Sequence, residues 1–370
     1  MQLQRLTLTN FKNIPEAHLE LSGKVNCLVG NNGMGKSNLL DAIYTLSFCK
    51  SFTGVADKLL ITRGETFAML KADYLRKGID ENLLLALGGR RKTLKRGGKE
   101  YGRLSAHIGS FPLVMIAPRD IDLIRESGEE RRRWMDMVIS QTSPLYLDAL
   151  IRYNSALEQR NRMLRDGIVD ATLYEVVEDI MGASADTIQT ERAAWTLRLS
   201  SLFSRYYEAI AGPGETVSLT FRSHLSDGQS LRAHLDSARR HDEIVKHTSV
   251  GPHRDDIEML IDEMPVRRTG SEGQCKTFTI ALRLAQYDFL SRATGMKPLL
   301  LLDDIFDKLD ARRVERIMEL VASDEFGQIF ITDTNRKHLD EIIARTGGED
   351  FCIWRVDSGR FIKADKDPEA

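Results

Sequence analysis

Cysteine is scarce in this chain. Four occur in 370 residues, at Cys27, Cys49, Cys275 and Cys352, and no two form a CxxC pair. Their long, irregular gaps exclude a disulfide framework and a zinc ribbon, and they fit a reducing compartment. Long apolar runs are also missing. Those present are short, such as 299–302, far from the roughly 18 residues that span a bilayer. Residues 1–6 carry no apolar signal-peptide region. These absences lead to the expectation of a cytoplasmic protein with no membrane partner. Nor is there an excess of one charge. Lys and Arg number 52 against 54 Asp and Glu, a formal net charge of −2. Binding to nucleic acid would therefore need local clustering, because no bulk positive field exists. Internal repeats, low-complexity tracts and sustained heptads are lacking, which excludes a solenoid and a long coiled coil.

What is present is an ordinary globular composition, 42% hydrophobic and 29% charged. At about 100–200 residues per domain the length suggests two or three domains. Residues 1–29 are strand-like: Leu3, Leu6 and Leu8 sit among polar residues, and 25–29 form an apolar run ending at Gly30. The spacing of Leu39, Leu40, Ile43 and Leu46 predicts a helix over 38–48. Residues 60–116 alternate short apolar runs with Gly- and Lys/Arg-rich turns and read as β-rich. From 128 to 212 the only proline is Pro144, and apolar residues recur at helical spacing. Breaks are predicted at Ser143-Pro144, Asp166-Gly167 and Gly212-Pro213-Gly214, giving several antiparallel helices. Strands over 216–221 and 257–261, a helix over 275–292, a strand over 299–302, a helix over 311–322 and a strand over 328–332 complete the chain. The order predicts an α/β fold. A head domain of residues 1–120 and 213–370, with a β-rich lobe at about 50–116, is interrupted by a compact helical arm over 121–212.

Residues Gly30, Asn31, Asn32, Gly33, Met34, Gly35, Lys36 and Ser37 spell G-x4-G-K-[ST], followed by Asn38. An apolar strand precedes this run and a helix opens at its end, as a phosphate-binding loop requires. Glycines let backbone N–H groups curl around phosphate oxygens, and the helix N-terminus adds positive dipole character. Lys36 can reach the β- and γ-phosphates of ATP, and the Ser37 hydroxyl can ligate Mg²⁺. Such a loop needs an acidic partner. The four leucines of 299–302 suit a strand buried on both faces, and Asp303 and Asp304 stand at its end. Asp303 would hold Mg²⁺, and Asp304 would orient or deprotonate the attacking water. A helix N-terminus with two capping acids is the simpler reading of that pair.

Upstream, Ser271-Glu272-Gly273-Gln274 opens the helix from 275. Ser271 reads as an N-cap. It also stands where an ABC-type signature motif would stand, one helix before an acidic strand end. There a serine and a helix N-terminus face the γ-phosphate held by the other subunit. Asp307-Lys308-Leu309-Asp310 lies where a dimer-contact loop would sit, and Thr332-Asp333-Thr334 where a γ-phosphate switch would. Arg90, Arg91, Lys92, Lys95, Arg96, Lys99 and Arg103 face Glu100 alone, with Gly97-Gly98 to turn a hairpin. Such a cluster would bind DNA phosphates without sequence preference, or form a solvated hairpin. A second cluster, Arg131-Arg132-Arg133, lies on a predicted helix, so at least one arginine should pair inward. Few aromatics interleave either cluster, which favours duplex backbone over stacked single strands. His241, His247 and His253 lack metal-ligand spacing. Trp134, Trp195 and Trp354 read as core residues.

Taken in order, these strings resemble the RecF family, relatives of the SMC and Rad50 ATPases, over nearly the whole chain. They include Leu8-Thr9-Asn10-Phe11-Lys12-Asn13, the loop at 30–38, Glu130 to Asp136, Tyr153-Asn154 with Gln159-Arg160-Asn161, Gly251-Pro252-His253-Arg254-Asp255-Asp256, and Ser271-x-Gly273-Gln274. The resemblance implies an ABC-type P-loop ATPase head with an inserted helical arm. It implies ATP and Mg²⁺ as cofactors, a slow ATPase that DNA stimulates, and an ATP-dependent homodimer. In that dimer Lys36, Asp303 and Asp304 act with Ser271 of the other copy, and Gln274 lines the nucleotide. It further implies binding to double-stranded DNA at gaps or junctions, with RecO and RecR as partners in loading RecA. Ser37 stands where the family more often has threonine, no arginine follows Phe52, and no histidine follows the strand at 328–332. Alternatives are the head of another SMC-like protein, a P-loop kinase, and a transporter ATPase subunit. The last would lack use for the helical block.

Overall fold

The computed structural model describes residues 1–88, 91–307, 309–333, 343–345 and 350–364. They form two compact units, one of residues 1–120 and 286–370, the other of 121–285. One division therefore falls at 120. The other falls inside the helix Glu272–Thr294 rather than at 213. The strands expected to rejoin the head there, Val217–Arg222 and Asp256–Ile261, group with the helices instead. The reason is packing. The first strand lies against the long helix Ala171–Ala211, the second against Gly128–Ser140, and Leu219, Ile257, Met259 and Ile261 are buried.

The first unit is built on two six-stranded sheets. One is antiparallel, in the order Ile14–Glu20, Gln2–Phe11, Phe67–Arg76, Ile79–Gly88, Thr93–Arg96, Lys99–Glu100. Its apolar residues alternate, so one face is buried. Leu8, Leu70, Leu85 and Leu94 run across it in register, all fully buried. The hairpin turn falls at Gly97-Gly98, as expected.

The other sheet has the order Arg360–Ala364, Phe351–Asp357, Val25–Val29, Ile329–Asp333, Leu299–Asp303, Leu113–Ile116. Its strands are parallel except for the hairpin that ends it at Arg360–Ala364. Leu299 to Leu302 and Ile329 to Ile331 have no exposed surface. This fits central parallel strands covered on both sides, which read as continuous apolar runs. The helix Lys36–Phe48 is buried almost all round and touches strands of both sheets. Its 3.6-residue pattern is visible, but Asp41, Thr45 and Ser47 are buried too. Parallel strands present their ligand sites at their carboxyl ends. Gly30, Asp303 and Asp333 all stand there.

The second unit holds Gly128–Ser140, Pro144–Asp166, Ala171–Ala211 and Leu231–Val245 with a three-stranded antiparallel sheet. The predicted breaks are real caps. The Ser143 hydroxyl accepts from the Tyr146 N–H, and Pro144 takes the first turn, where its missing N–H costs nothing. Gly167 closes that helix in the left-handed conformation, and Asp170 caps the next. Trp134 and Trp195 meet edge to face with ring centroids 5.0 Å apart in the core. Among the described residues no helix is long and apolar enough to cross a membrane.

Charged side chains also fill this unit's interior. Arg160 is fully buried and pairs with Glu178 at 2.9 Å and Asp242 at 2.7 Å, both fully buried too. Arg192 reaches Asp136 and Asp255, both at 2.8 Å, and donates to the Pro252 carbonyl. Arg131 turns inward onto Asp256 with two hydrogen bonds, of 2.6 and 2.9 Å, as one member of its cluster was expected to do. The segment 251–256 is thus the meeting point of Arg131, Arg192 and Tyr153. The Tyr153 hydroxyl lies 2.8 Å from His253 Nδ1. Burial drives the His253 pKa down to about 4.

Candidate nucleotide site

The loop 30–37 links the strand Val25–Val29 to the helix Lys36–Phe48. Gly30 is pressed against the neighbouring strand, and a Cβ there would lie 2.3 Å from the Val356 carbonyl oxygen. The Lys36 side chain curls back along the loop. Its Nζ donates to the carbonyls of Gly30 at 2.5 Å and Asn31 at 3.1 Å. The ammonium therefore sits inside the curve that the loop's amides describe. Asn31, Asn32 and Gly33 are exposed, Met34 is half-buried, and Gly35 gives the helix its first carbonyl acceptor.

Ser37 faces the acidic strand end, as the motif requires. Its hydroxyl donates to Asp303 Oδ1 at 2.8 Å. The Thr332 hydroxyl donates to the same oxygen at 2.7 Å. Burial raises the Asp303 pKa; the two hydroxyls and Lys36 oppose that shift, and the nearby Asp304 charge adds to it. Asp304 is half-exposed and has a left-handed φ of 49°. The oxygen donors of Ser37 and Asp303, side by side at 2.8 Å, are the chemistry that a hard cation such as Mg²⁺ takes. No cluster of three or more His, Cys, Asp or Glu that could hold a metal occurs among the described residues.

Spacing rules do not reveal the braces around this loop. Gly359, at the turn of the last hairpin, donates its N–H to the Met34 carbonyl at 2.8 Å. A Cβ on Gly359 would lie 2.0 Å from the Asn13 carbonyl oxygen. The Asn13 side chain accepts from Asn38 Nδ2 at 2.8 Å. Lys12 pairs with the buried Asp41 at 2.5 Å, and Asp41 also accepts from the Phe52 N–H at 2.6 Å. Lys12 and Asn13 belong to one of the family strings, which was the only hint of their place.

Ser271 and Gln274 lie in the second unit. The Ser271 hydroxyl accepts from the Gln274 N–H at 3.2 Å, and Gln274 Oε1 accepts from the Ser271 N–H at 2.8 Å. This is a reciprocal capping box. Gln274 Nε2 is spent on Glu215 at 2.7 Å. Ser271 is exposed, and the cap uses only its lone pairs. Asp307 is exposed and Asp310 caps the helix Ala311–Ala322. Lys308 and Thr334 lie outside the described residues.

The basic hairpin is less free than its composition implied. Arg91 pairs with Glu100 at 2.8 Å, Lys92 with Asp57 at 2.7 Å, and Arg96 with Glu81 at 2.5 Å. Lys92 also donates to the Cys49 carbonyl. Lys95 and Lys99 are exposed, and with Arg103 they have no carboxylate partner among the described residues. Arg90 lies outside the described residues.

A phosphate loop that follows one parallel strand, faces an acidic neighbour strand and is flanked by an antiparallel lobe defines a P-loop ATPase head of the SMC kind. An SMC head from Pyrococcus furiosus shares the fold, with a TM-score of 0.56 at 16% identity over 98% of this chain and 96% of that one. Residues 2–81 match the RecF/RecN/SMC N terminal domain family. The DNA replication and repair protein RecF of Parabacteroides distasonis is 46% identical over 360 residues, 97% of this chain and 98% of the relative. That of Porphyromonas gingivalis is 47% identical over 365 residues, 98% and 100%. The chain belongs to the RecF family. A solved RecF–ATP structure, described as that of a recombination mediator in the RecFOR pathway, superposes with a TM-score of 0.88 at 26% identity over 98% of both chains.

Proposed function

We propose that this protein is an ATP-switched DNA-binding protein of recombinational repair and replication recovery. The observation that carries the reading is the hydrogen bond between the loop serine and the acidic strand end, Ser37 to Asp303 at 2.8 Å. A hydroxyl and a carboxylate standing side by side beside the loop support the reading that they share a metal ion. The names of the RecF relatives and the ATP-bound RecF structure support it.

In this reading the loop 30–38 binds the phosphates, Ser37 and Asp303 hold Mg²⁺, and Lys36 neutralises the β- and γ-oxygens. Mg²⁺ held by Ser37 and Asp303 would supply charge neutralisation of the phosphates. Asp304 positions the attacking water. Ser271 of a second copy donates its free hydroxyl proton to the γ-phosphate. ATP thus supplies contacts that two empty heads lack, dimer affinity depends on nucleotide, and slow, DNA-stimulated hydrolysis resets the dimer. The dimer binds duplex DNA at gaps or junctions through outward cations such as Lys95 and Lys99, and acts in the cytoplasm with RecO and RecR to load RecA.

Sedimentation with ATP, ADP or no nucleotide tests the switch, alongside binding to a gapped duplex across a salt series. The expected result is a dimer with ATP-Mg²⁺ alone, and salt-sensitive DNA binding that follows the dimer. Lys36→Ala should abolish both. A monomer at saturating ATP-Mg²⁺ that still turns ATP over would overturn the switch and favour a P-loop kinase.

A further inference from the structure

The strand Ile329–Asp333 is apolar and buried over Ile329, Phe330 and Ile331. A hydroxyl follows at Thr332, which is 1% exposed. A buried hydroxyl needs partners. Among the described residues Thr332 finds them in the acidic pair. The parallel register sets Thr332 beside Asp303, so its side chain falls on the same face of the sheet. Its Oγ1 donates to Asp303 Oδ1 at 2.7 Å and accepts from the Asp304 N–H at 3.1 Å. The Thr332 carbonyl lies 3.2 Å from that same N–H. Asp304 itself holds a φ of 49°. A non-glycine residue stays in that region only where its surroundings hold it there.

The geometry points to Thr332 as a positioning residue for both acids, not as a sensor of the γ-phosphate. One hydroxyl fixes an oxygen of Asp303 and the backbone turn that aims Asp304. Two hydroxyls converge on Asp303 Oδ1, from Ser37 and from Thr332. Ser37 would also give lone pairs to the metal ion, whereas the Thr332 hydroxyl bonds to Asp303 and to the Asp304 N–H. The bond from Thr332 therefore keeps the carboxylate from swinging as the ion arrives. This inference rests on Asp303 being the carboxylate on the Mg²⁺ side.

Thr332→Val keeps the shape and removes the hydroxyl; Thr332→Ser keeps the hydroxyl. Partners behind a metal ligand typically contribute about 10–100-fold in metal affinity or activity. Thr332→Val should accordingly raise the Mg²⁺ concentration for half-maximal ATP turnover by about tenfold and lower kcat by at least as much. ATP affinity measured without Mg²⁺ should hold within about twofold, since the Thr332 hydroxyl bonds to the acidic pair and not to the phosphate loop's amides. Thr332→Ser should restore both quantities. If Thr332→Val lowers the melting temperature but leaves the Mg²⁺ dependence as in wild type, the role is structural only and the inference falls. Equal losses in the Val and Ser variants would also sink it. Asp303→Asn, measured in parallel, separates the two ideas. Mg²⁺-dependent turnover in that variant would remove the acid assignment itself. An inactive Asp303→Asn with an unaffected Thr332→Val would remove only the inference.

Discussion

At the scale of single residues, the phosphate loop is held by residues it does not contain. Gly359 is the sharpest case. It sits in a left-handed turn at φ 78°, donates to the Met34 carbonyl, and comes so near Asn13 that a methyl would lie 2.0 Å from a carbonyl oxygen. Backbone oxygen cannot yield as a flexible side chain can, so the turn must move and the loop with it. Gly359→Ala should therefore weaken ATP binding by roughly tenfold or more, a cost of about 1.4 kcal/mol or above for displacing preformed contacts. Titration of a fluorescent ATP analogue would show it. Unchanged affinity would mean that the hairpin does not brace the loop. This prediction also marks the limit of the sequence. Lys36, Ser37 and Asp303 were readable because phosphate and metal chemistry demands fixed residue types at fixed places. Asn13 and Gly359 come from two other segments that no spacing rule joins, and Thr332 was placed by its strand end but as a γ-phosphate switch, not as the partner of Asp303.

Among the elements, the helix Glu272–Thr294 begins with a box in which Ser271 and Gln274 satisfy each other. An N-cap contributes about 1 kcal/mol to stability. Ser271→Ala should cost that much in urea unfolding and no more, yet abolish ATP-dependent dimerisation if the hydroxyl serves a second copy. Ser271→Asp keeps the cap and adds a charge against phosphate, so it should restore stability without restoring the dimer. The buried ion pairs of the second unit give a larger effect. Arg160→Met leaves the fully buried Asp242 without its arginine, while Glu178 keeps Arg239 at 2.9 Å. Removing one partner of a buried pair costs about 3–5 kcal/mol, and equilibrium unfolding should show it. Arg160→Lys should recover only part, because an ammonium lacks the fork that spans both acids. Element ends were legible here: Ser143-Pro144, Gly167 and Asp170 follow capping rules that act locally. Partnership was not. Nothing in 217–222 or 256–261 shows which helices cover those strands, and so the return to the first unit is placed at 213 by pattern and near 285 by packing. The burial of the helix Lys36–Phe48 on every side likewise depends on two sheets that its own periodicity cannot report.

For the whole molecule, the near-balance of charge means that pH acts through a few buried groups and not through a global field. His107 and His253 are the clearest, one in each unit. Burial pulls both pKa values from 6.5 to about 4. His107 has no exposed surface, and its Nε2 lies 2.8 Å from the Leu46 carbonyl, so Nε2 carries the proton of the neutral ring. The sign follows from proton counting. Between pH 6.5 and 4 the unfolded chain binds a proton at each ring that the folded chain refuses. Stability contributed by the neutral rings is therefore full above pH 6.5, falls as pH drops through that window, and falls no further below about 4. The span amounts to roughly 3 kcal/mol per ring. Two acids act in the opposite direction. Burial raises the pKa values of Asp255 and Asp303, so part of the loss is offset in the wild type. The decisive measurement is thus a difference. His107→Gln keeps a side-chain N–H for the Leu46 carbonyl and cannot titrate. Urea unfolding of both proteins at pH 7.5, 6, 5 and 4.5 should show the variant less stable at pH 7.5 and the gap closing as pH falls. A gap that stays constant across the series would mean that His107 has the same pKa in the folded and the unfolded protein.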